Sequence, residues 1–118
     1  ETVAGFDDAD VERLLADAGI IRNRAKILAT ISNARVTAQL IADDPGALDR
    51  LVWSFAPVDA RPRPERLSEL PAITPEATAL SVALKTRGYR FVGPTTMYAL
   101  MQSCGLVDDH LVGCWRAD

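Results

Sequence analysis

Two clusters of residues in this sequence have types and spacings suited to chemistry. The first is Gly88-Tyr89-Arg90-Phe91-Val92-Gly93-Pro94-Thr95-Thr96, with Lys85 and Arg87 just before it. A short hairpin between two helices, with glycine at both ends, is a phosphate-binding device. The glycines let the backbone approach a nucleic acid closely. The N–H groups in the first turn of the second helix lack intrahelical partners and point outward at an anion. Pro94 removes one such N–H, which leaves Gly93, Thr95 and Thr96 as donors, together with the two threonine hydroxyls. Phe91 and Val92 are expected to anchor the hairpin hydrophobically, and Arg90 to flank the phosphate with Lys85 and Arg87. An ordinary helical turn with a glycine cap has the same Gly-x-x-x-x-Gly spacing, and it is the adjacent basic residues that favour DNA.

The second cluster is His110 and Cys114. If this segment is helical, residues four apart lie one turn apart on one face. Imidazole and thiolate are good zinc ligands, and a structural zinc site wants four. The only other thiol, Cys104, is expected on the apolar face of the preceding helix, where a free cysteine behaves as a small hydrophobe. Two ligands would then have to come from elsewhere. A surface histidine near a buried cysteine, or a Cys104–Cys114 disulfide, gives the same pattern, although a cytosolic setting disfavours the disulfide.

The elements that must position these clusters read as helices, with no convincing strand pattern. Asp7 or Asp8 can cap a short first helix bearing Val11, Leu14, Leu15 and Ala18 on one face, and Gly19 is expected to end it in a left-handed conformation. The spacing predicts a long helix from about Arg22 to Ala42, with a stripe of Ile27, Ile31, Ala34, Ala38 and Ile41. Asp44-Pro45-Gly46 breaks it, and a third helix carries Leu48, Leu51, Val52 and Phe55. Five of the seven prolines fall between Ala56 and Pro75, so this stretch is expected as a surface connection with one short turn at Leu67–Leu70. A fourth helix is expected over Pro75–Arg87, with Leu80, Ala83 and Leu84 inward and Gly88 as its stop. A fifth starts at Pro94, carries Met97, Leu100, Met101 and Cys104 on one face, and ends at Gly105.

The 118 residues fit a single helical domain, residues 1–118, with the hairpin motif at 85–96. Composition is ordinary, at 48% hydrophobic and 25% charged, which excludes disordered, collagen-like and disulfide-scaffold classes. No apolar run approaches the roughly 20 residues needed to cross a bilayer. The net charge of -3 argues against a nucleic-acid partner when taken whole. Its layout differs: no acid stands between Asp17 and Asp43 or between Glu76 and Asp108, and the local field governs phosphate capture. Two solvated helix faces would show the same layout. The chain opens at Glu1 without methionine, and the expectation is a fragment of a longer protein.

Several runs together resemble the DNA-3-methyladenine glycosylase I family. They are Leu14 to Ile27, Ile31-Ser32-Asn33-Ala34, Trp53-Ser54-Phe55, Leu80-Ser81 to Leu84-Lys85, Arg87-Gly88-Tyr89-Arg90-Phe91-Val92-Gly93-Pro94-Thr95, Met101-Gln102-Ser103-Cys104-Gly105 and Asp109-His110-Leu111-Val112-Gly113-Cys114. The resemblance covers nearly the whole chain in order. It implies an all-α fold of the helix-hairpin-helix DNA glycosylase type, incomplete at the N-terminus. It also implies a base-excision repair hydrolase that removes 3-methyladenine from double-stranded alkylated DNA. The hairpin residues Arg90, Phe91, Val92, Gly93, Thr95 and Thr96 match the DNA-binding part. His110 and Cys114 match the second pair of ligands to a structural zinc. The family's opening region, with the other zinc ligands and the base pocket, has no counterpart here, and Asp108 stands where members commonly have Asn. No catalytic residue can therefore be carried onto this chain, and residues 1–118 alone are expected to be inactive. No lysine in the hairpin region is placed as a Schiff-base nucleophile, so simple hydrolysis without strand cleavage is expected. The expected setting is a cytoplasmic monomer with no membrane contact. The alternative is a non-catalytic helix-hairpin-helix DNA-binding module.

Overall fold

A computed structural model describes residues 1–117. Among the described residues there are five α-helices, α1 (Asp8–Ala16), α2 (Arg24–Leu40), α3 (Ala47–Trp53), α4 (Pro75–Thr86) and α5 (Pro94–Cys104), and no strand. Single 3-10 turns occupy Val3–Gly5 and Leu67–Glu69. The chain forms two compact units. One joins Glu1–Asp49 to Leu84–Phe91, and the other joins Arg50–Ala83 to the chain from Val92 onward.

In the first unit, Asp7 caps α1 through a capping box. Its carboxylate accepts from the Ala9 and Asp10 amides at 2.9 and 3.2 Å, and the Asp10 carboxylate accepts from the Asp7 amide. Asn23 caps α2 by accepting from the Lys26 amide. Val11, Ile27 and Ile31 are buried together, with Phe6, Leu14 and Leu15 packed against them. Each fully buried aliphatic side chain of this kind stabilises by roughly 1.5–3 kcal/mol. The α2 stripe is thus buried at Ile27 and Ile31, and its continuation at Ala34, Ala38 and Ile41 is half-buried. Two of the acid-free cations serve the fold: Arg35 donates to the Ala4 and Phe6 carbonyls at 2.9 Å each, and Arg24 pairs with Glu12.

The expected left-handed Gly19 is not found. Helix α1 ends at Ala16, and Asp17 turns the chain itself by accepting the Gly19 amide on its carboxylate at 2.7 Å. An aspartate side chain that mimics a backbone turn removes the need for a left-handed glycine.

In the second unit, Thr74 caps α4 by accepting the Ala77 amide on its hydroxyl at 3.1 Å. Ala77, Leu80, Met97, Tyr98, Met101 and Leu106 are buried. Helix α5 ends at Gly105 in the left-handed region, φ 80°, with the Leu106 amide returning to the Met101 carbonyl at 2.9 Å. Cys104 is exposed, not on the apolar side. It closes the last turn of α5, where the helix has run past its buried residues Met97, Tyr98 and Met101. The proline-rich connection is irregular apart from the turn at Leu67–Glu69. No helix is long and apolar enough to cross a membrane among the described residues.

Candidate functional site

The first half of the hairpin belongs to the first unit. Helix α4 stops in a Schellman motif: the Tyr89 amide donates to the Leu84 carbonyl at 3.1 Å and the Gly88 amide to the Lys85 carbonyl at 2.9 Å. This requires the left-handed backbone that Gly88 adopts, φ 93°. Leu84 and Tyr89 are both buried, and the Tyr89 and Thr37 hydroxyls lie 2.9 Å apart. Asn33 of α2 then grips the next residue at both ends. Its Nδ2 donates to the Arg90 carbonyl at 2.9 Å, and its Oδ1 accepts from the Arg90 amide at 2.8 Å.

Phe91 follows with φ 57°, the only non-glycine residue in the left-handed region among those described. That conformation costs a non-glycine residue about 1–2 kcal/mol. Phe91 is also 54% exposed, whereas Val92 is buried. The two residues expected as joint anchors therefore divide: Val92 anchors the hairpin and Phe91 does not.

The second half belongs to the second unit. Gly93 precedes α5 with an ordinary extended backbone, φ −64° and ψ 162°, and a Cβ placed there would meet nothing within 4 Å. Pro94 occupies the first helical position, and no side chain caps α5. The Met97 amide returns to the Gly93 carbonyl at 2.9 Å, while Thr95 and Thr96 are exposed in the open first turn. The first-turn N–H groups of a helix without a side-chain cap are ready donors to an anion. Arg90, Lys85 and Arg87 are also exposed.

His110 and Cys114 lie in irregular chain on either side of a turn at Val112 and Gly113, since the segment after Leu106 forms no helix among the described residues. Their pairing comes instead from a turn containing left-handed Gly113, φ 79°, with the Cys114 amide donating to the Leu111 carbonyl at 3.0 Å. The His110 Nδ1 and Cys114 Sγ atoms are 3.9 Å apart. Cys104 and Cys114 are both free thiols, so the disulfide reading falls. No group of three or more His, Cys, Asp or Glu residues that could hold a metal occurs among the described residues.

A polar network that sequence reasoning missed fixes this segment within the second unit. Asp109, with a side chain only 10% exposed, accepts from Arg61 Nη2 at 2.8 Å, from Gln102 Nε2 at 2.9 Å and from the Tyr98 hydroxyl. Arg61 also donates to the Tyr98 oxygen at 2.9 Å. That bond holds the guanidinium pKa above its usual value. Burial, reinforced by the bond to Asp109, raises the Tyr98 phenol. Next to it Arg63 pairs with Asp108 at 2.7 Å and donates to the His110 carbonyl at 3.3 Å, and the Val112 amide donates to the Pro64 carbonyl at 2.9 Å. The His110 amide donates to Asp108, and this bond together with Arg63 holds that carboxyl below its usual value. The proline-rich connection is therefore the strap along which residues 108–112 are laid. Two arginines between prolines, and two adjacent aspartates before the histidine, were the signal in the sequence.

A family profile described as methyladenine glycosylase matches residues 1–117, and the chain belongs to that family. It is 50% identical over 115 residues to DNA-3-methyladenine glycosylase 1 of Escherichia coli strain K12, covering 95% of this chain and 60% of that protein. It is 40% identical over 116 residues to the DNA-3-methyladenine glycosylase of Haemophilus influenzae, with the same coverage of both. A crystal structure of 3-methyladenine DNA glycosylase I superimposes with a TM-score of 0.88 at 43% identity, over 97% of this chain and 63% of that one. The Staphylococcus aureus glycosylase I, solved to explain 3-methyladenine recognition, gives 0.86 at 27% identity, over 98% and 62%. The chain thus spans about 60% of the length of the curated relatives it matches.

Proposed function

We propose that this chain works in base-excision DNA repair as the backbone-binding part of a DNA-3-methyladenine glycosylase, a monofunctional hydrolase of the N-glycosidic bond. The carrying observation is the family match over residues 1–117, with relatives that all bear this activity in their names. A non-catalytic DNA-binding module finds no support among those relatives.

In this reading Gly88 to Thr96 are a helix-hairpin-helix segment that contacts phosphates through Arg90 in the first unit and through Gly93, Thr95 and Thr96 in the second, where Val92 is buried. Gly93 supports it. Nothing internal demands a glycine there, since φ is ordinary and the Cβ position is open. A close approach from outside the chain gives the glycine a purpose. Such contacts set register on double-stranded DNA and carry no base specificity. Methylation at a ring nitrogen makes adenine cationic and already a good leaving group. The chemistry therefore asks mainly for nucleotide flipping, a pocket for the charged base and access of water. A cytoplasmic monomer is part of the same proposal.

His110 and Cys114 fit a structural zinc as two of its four ligands. Bonds of about 2.0–2.3 Å at a tetrahedral angle put two donor atoms about 3.5 Å apart, within a few tenths of an ångström of the distance between these two. When bound, the ion would tie this segment to ligands from another part of the protein. The residues of this chain orient the pair: Asp109 and Arg63 hold the main chain on either side of the His110 amide.

The test is release of free 3-methyladenine from methylated duplex DNA by the intact protein, beside Gly93→Asp. Release without strand cleavage, weakened by a carboxylate placed among the phosphate-facing amides, supports the reading. No release, or full binding by Gly93→Asp, overturns it.

A further inference from the structure

We infer that Asn33 is a positioning residue for the hairpin, acting on DNA through Arg90. The inference rests on the proposed reading that the hairpin meets phosphates. The Asn33 carboxamide takes up both main-chain polar groups of Arg90, at 2.9 and 2.8 Å, across 57 residues of sequence. A primary amide is the side chain able to do this, because it carries a donor and an acceptor in one plane, as a peptide group does. Alanine offers neither, and an aspartate would keep only the acceptor.

The grip falls where the chain most needs an external hold. Arg90 sits between buried Tyr89 and left-handed Phe91. A residue in a sparsely populated conformation persists only where its surroundings over-determine it. Helix α2 supplies that hold along one face: Thr37, one turn beyond Asn33, meets the Tyr89 hydroxyl. Two residues of one 17-residue helix thus hold Tyr89 and Arg90. Arginine is long and rotamer-rich, so fixing its main chain lowers the ordering cost when its side chain engages a phosphate. Asn33 needs no contact with DNA, since its amide is already engaged on Arg90.

A double-mutant cycle in the intact protein tests this, with an undamaged duplex as the probe. Asn33→Ala should weaken binding by about fivefold, and Arg90→Ala by about tenfold. The double variant should bind no worse than Arg90→Ala alone, because Asn33 acts only through that residue. A merely structural role would weaken binding by the same factor in both backgrounds. Asn33→Leu keeps the volume and loses both bonds, so it replaces Asn33→Ala if the latter loses its helical circular dichroism. Additive losses, or an unchanged affinity in a folded Asn33 variant while Gly93→Asp still weakens binding, overturn the inference and leave the hairpin reading standing. Unchanged affinity in both the Asn33 and Gly93 variants overturns the hairpin reading and this inference with it.

Discussion

Tyr98 and Asp109, eleven residues apart, share a phenol-to-carboxylate hydrogen bond at the point where α5 meets the C-terminal segment. The same carboxylate takes Arg61 and Gln102, so three donors converge on one largely buried acceptor. Removing the acceptor takes a partner from all three, whereas removing the phenol leaves Asp109 paired with Arg61 and Gln102. Asp109→Ala should cost about 2 kcal/mol of stability and Tyr98→Phe about 1 kcal/mol. Urea unfolding at neutral pH checks the order, and a more damaging Tyr98→Phe would refute the account.

The raised Tyr98 phenol has a pH consequence. A group whose folded pKa exceeds its unfolded value holds its proton longer in the native state. Its contribution is fully present below the unfolded value, about 10 for tyrosine, and is lost as pH rises through the folded value. Stability should therefore fall above about pH 10 more steeply than in Tyr98→Phe. Denaturant midpoints across that range decide it, and parallel curves for the two proteins would show that Tyr98 titrates normally.

The two hairpin glycines should separate stability from DNA binding. Gly88→Ala forces an L-residue to φ 93° and should cost about 1–2 kcal/mol. Gly93→Ala places its methyl in open space at an ordinary φ, so the fold should keep its stability or gain a few tenths of a kcal/mol. The same methyl stands where a phosphate would approach, so duplex affinity should fall in Gly93→Ala. The measurements are thermal unfolding and fluorescence anisotropy on both variants. A Gly93→Ala protein with unchanged affinity would mean that no backbone approaches that position.

The helices were readable because their ends are written locally. Asp7 and Pro94 start them, Gly88 and Gly105 stop them, and the α2 stripe has the helical period, although Asn23 caps α2 inside the stretch expected to be helical from Arg22. What was unreadable depends on partners distant in sequence or on a backbone that breaks the period. Asn33 stands in the sequence only within the run Ile31-Ser32-Asn33-Ala34, and its partner Arg90 is 57 residues away. Phe91 is apolar and hence expected buried, but it stands exposed in a left-handed conformation that no residue type in the sequence announces. Cys104 had the right spacing for the apolar face, yet it falls in the last turn of α5, where burial has ended. His110 and Cys114 were paired through a helix that does not form, and the turn at Gly113 places them 3.9 Å apart by another route.

Activity should not survive in residues 1–118 purified by themselves. The chain spans about 60% of its curated relatives, and phosphate contacts position DNA without recognising a base. The piece should still bind duplex DNA non-specifically, with affinity falling steeply as salt rises, by a log–log slope of about −0.9 per phosphate engaged. Release of 3-methyladenine above the buffer rate would overturn the first expectation, and salt-independent binding the second.

Metal content should follow ligand count. His110 and Cys114 stand at a separation that one zinc ion can bridge, and the strap from Arg61 to Pro64 fixes the segment that carries them. The main chain around His110 is therefore held, which would spare part of the ordering cost of binding an ion. Two ligands nevertheless leave half of a tetrahedral shell to water, and much of the stabilisation of a structural site comes from closing it with protein ligands. Residues 1–118 should consequently emerge from dialysis nearly zinc-free, while the intact protein should hold about one ion per chain. In the intact protein Cys114→Ser should lose the ion and lower the melting temperature, with a smaller effect on the affinity for 3-methyladenine. Loss of Arg63 in Arg63→Ala should weaken zinc retention without touching a ligand, because the bond to the His110 carbonyl and the pairing of Asp108 are then lost. Elemental analysis of all four proteins checks this: tight stoichiometric zinc in residues 1–118 would mean that a second copy or Cys104 supplies further ligands, and a zinc-free intact protein would mean that the His110–Cys114 pair holds no metal.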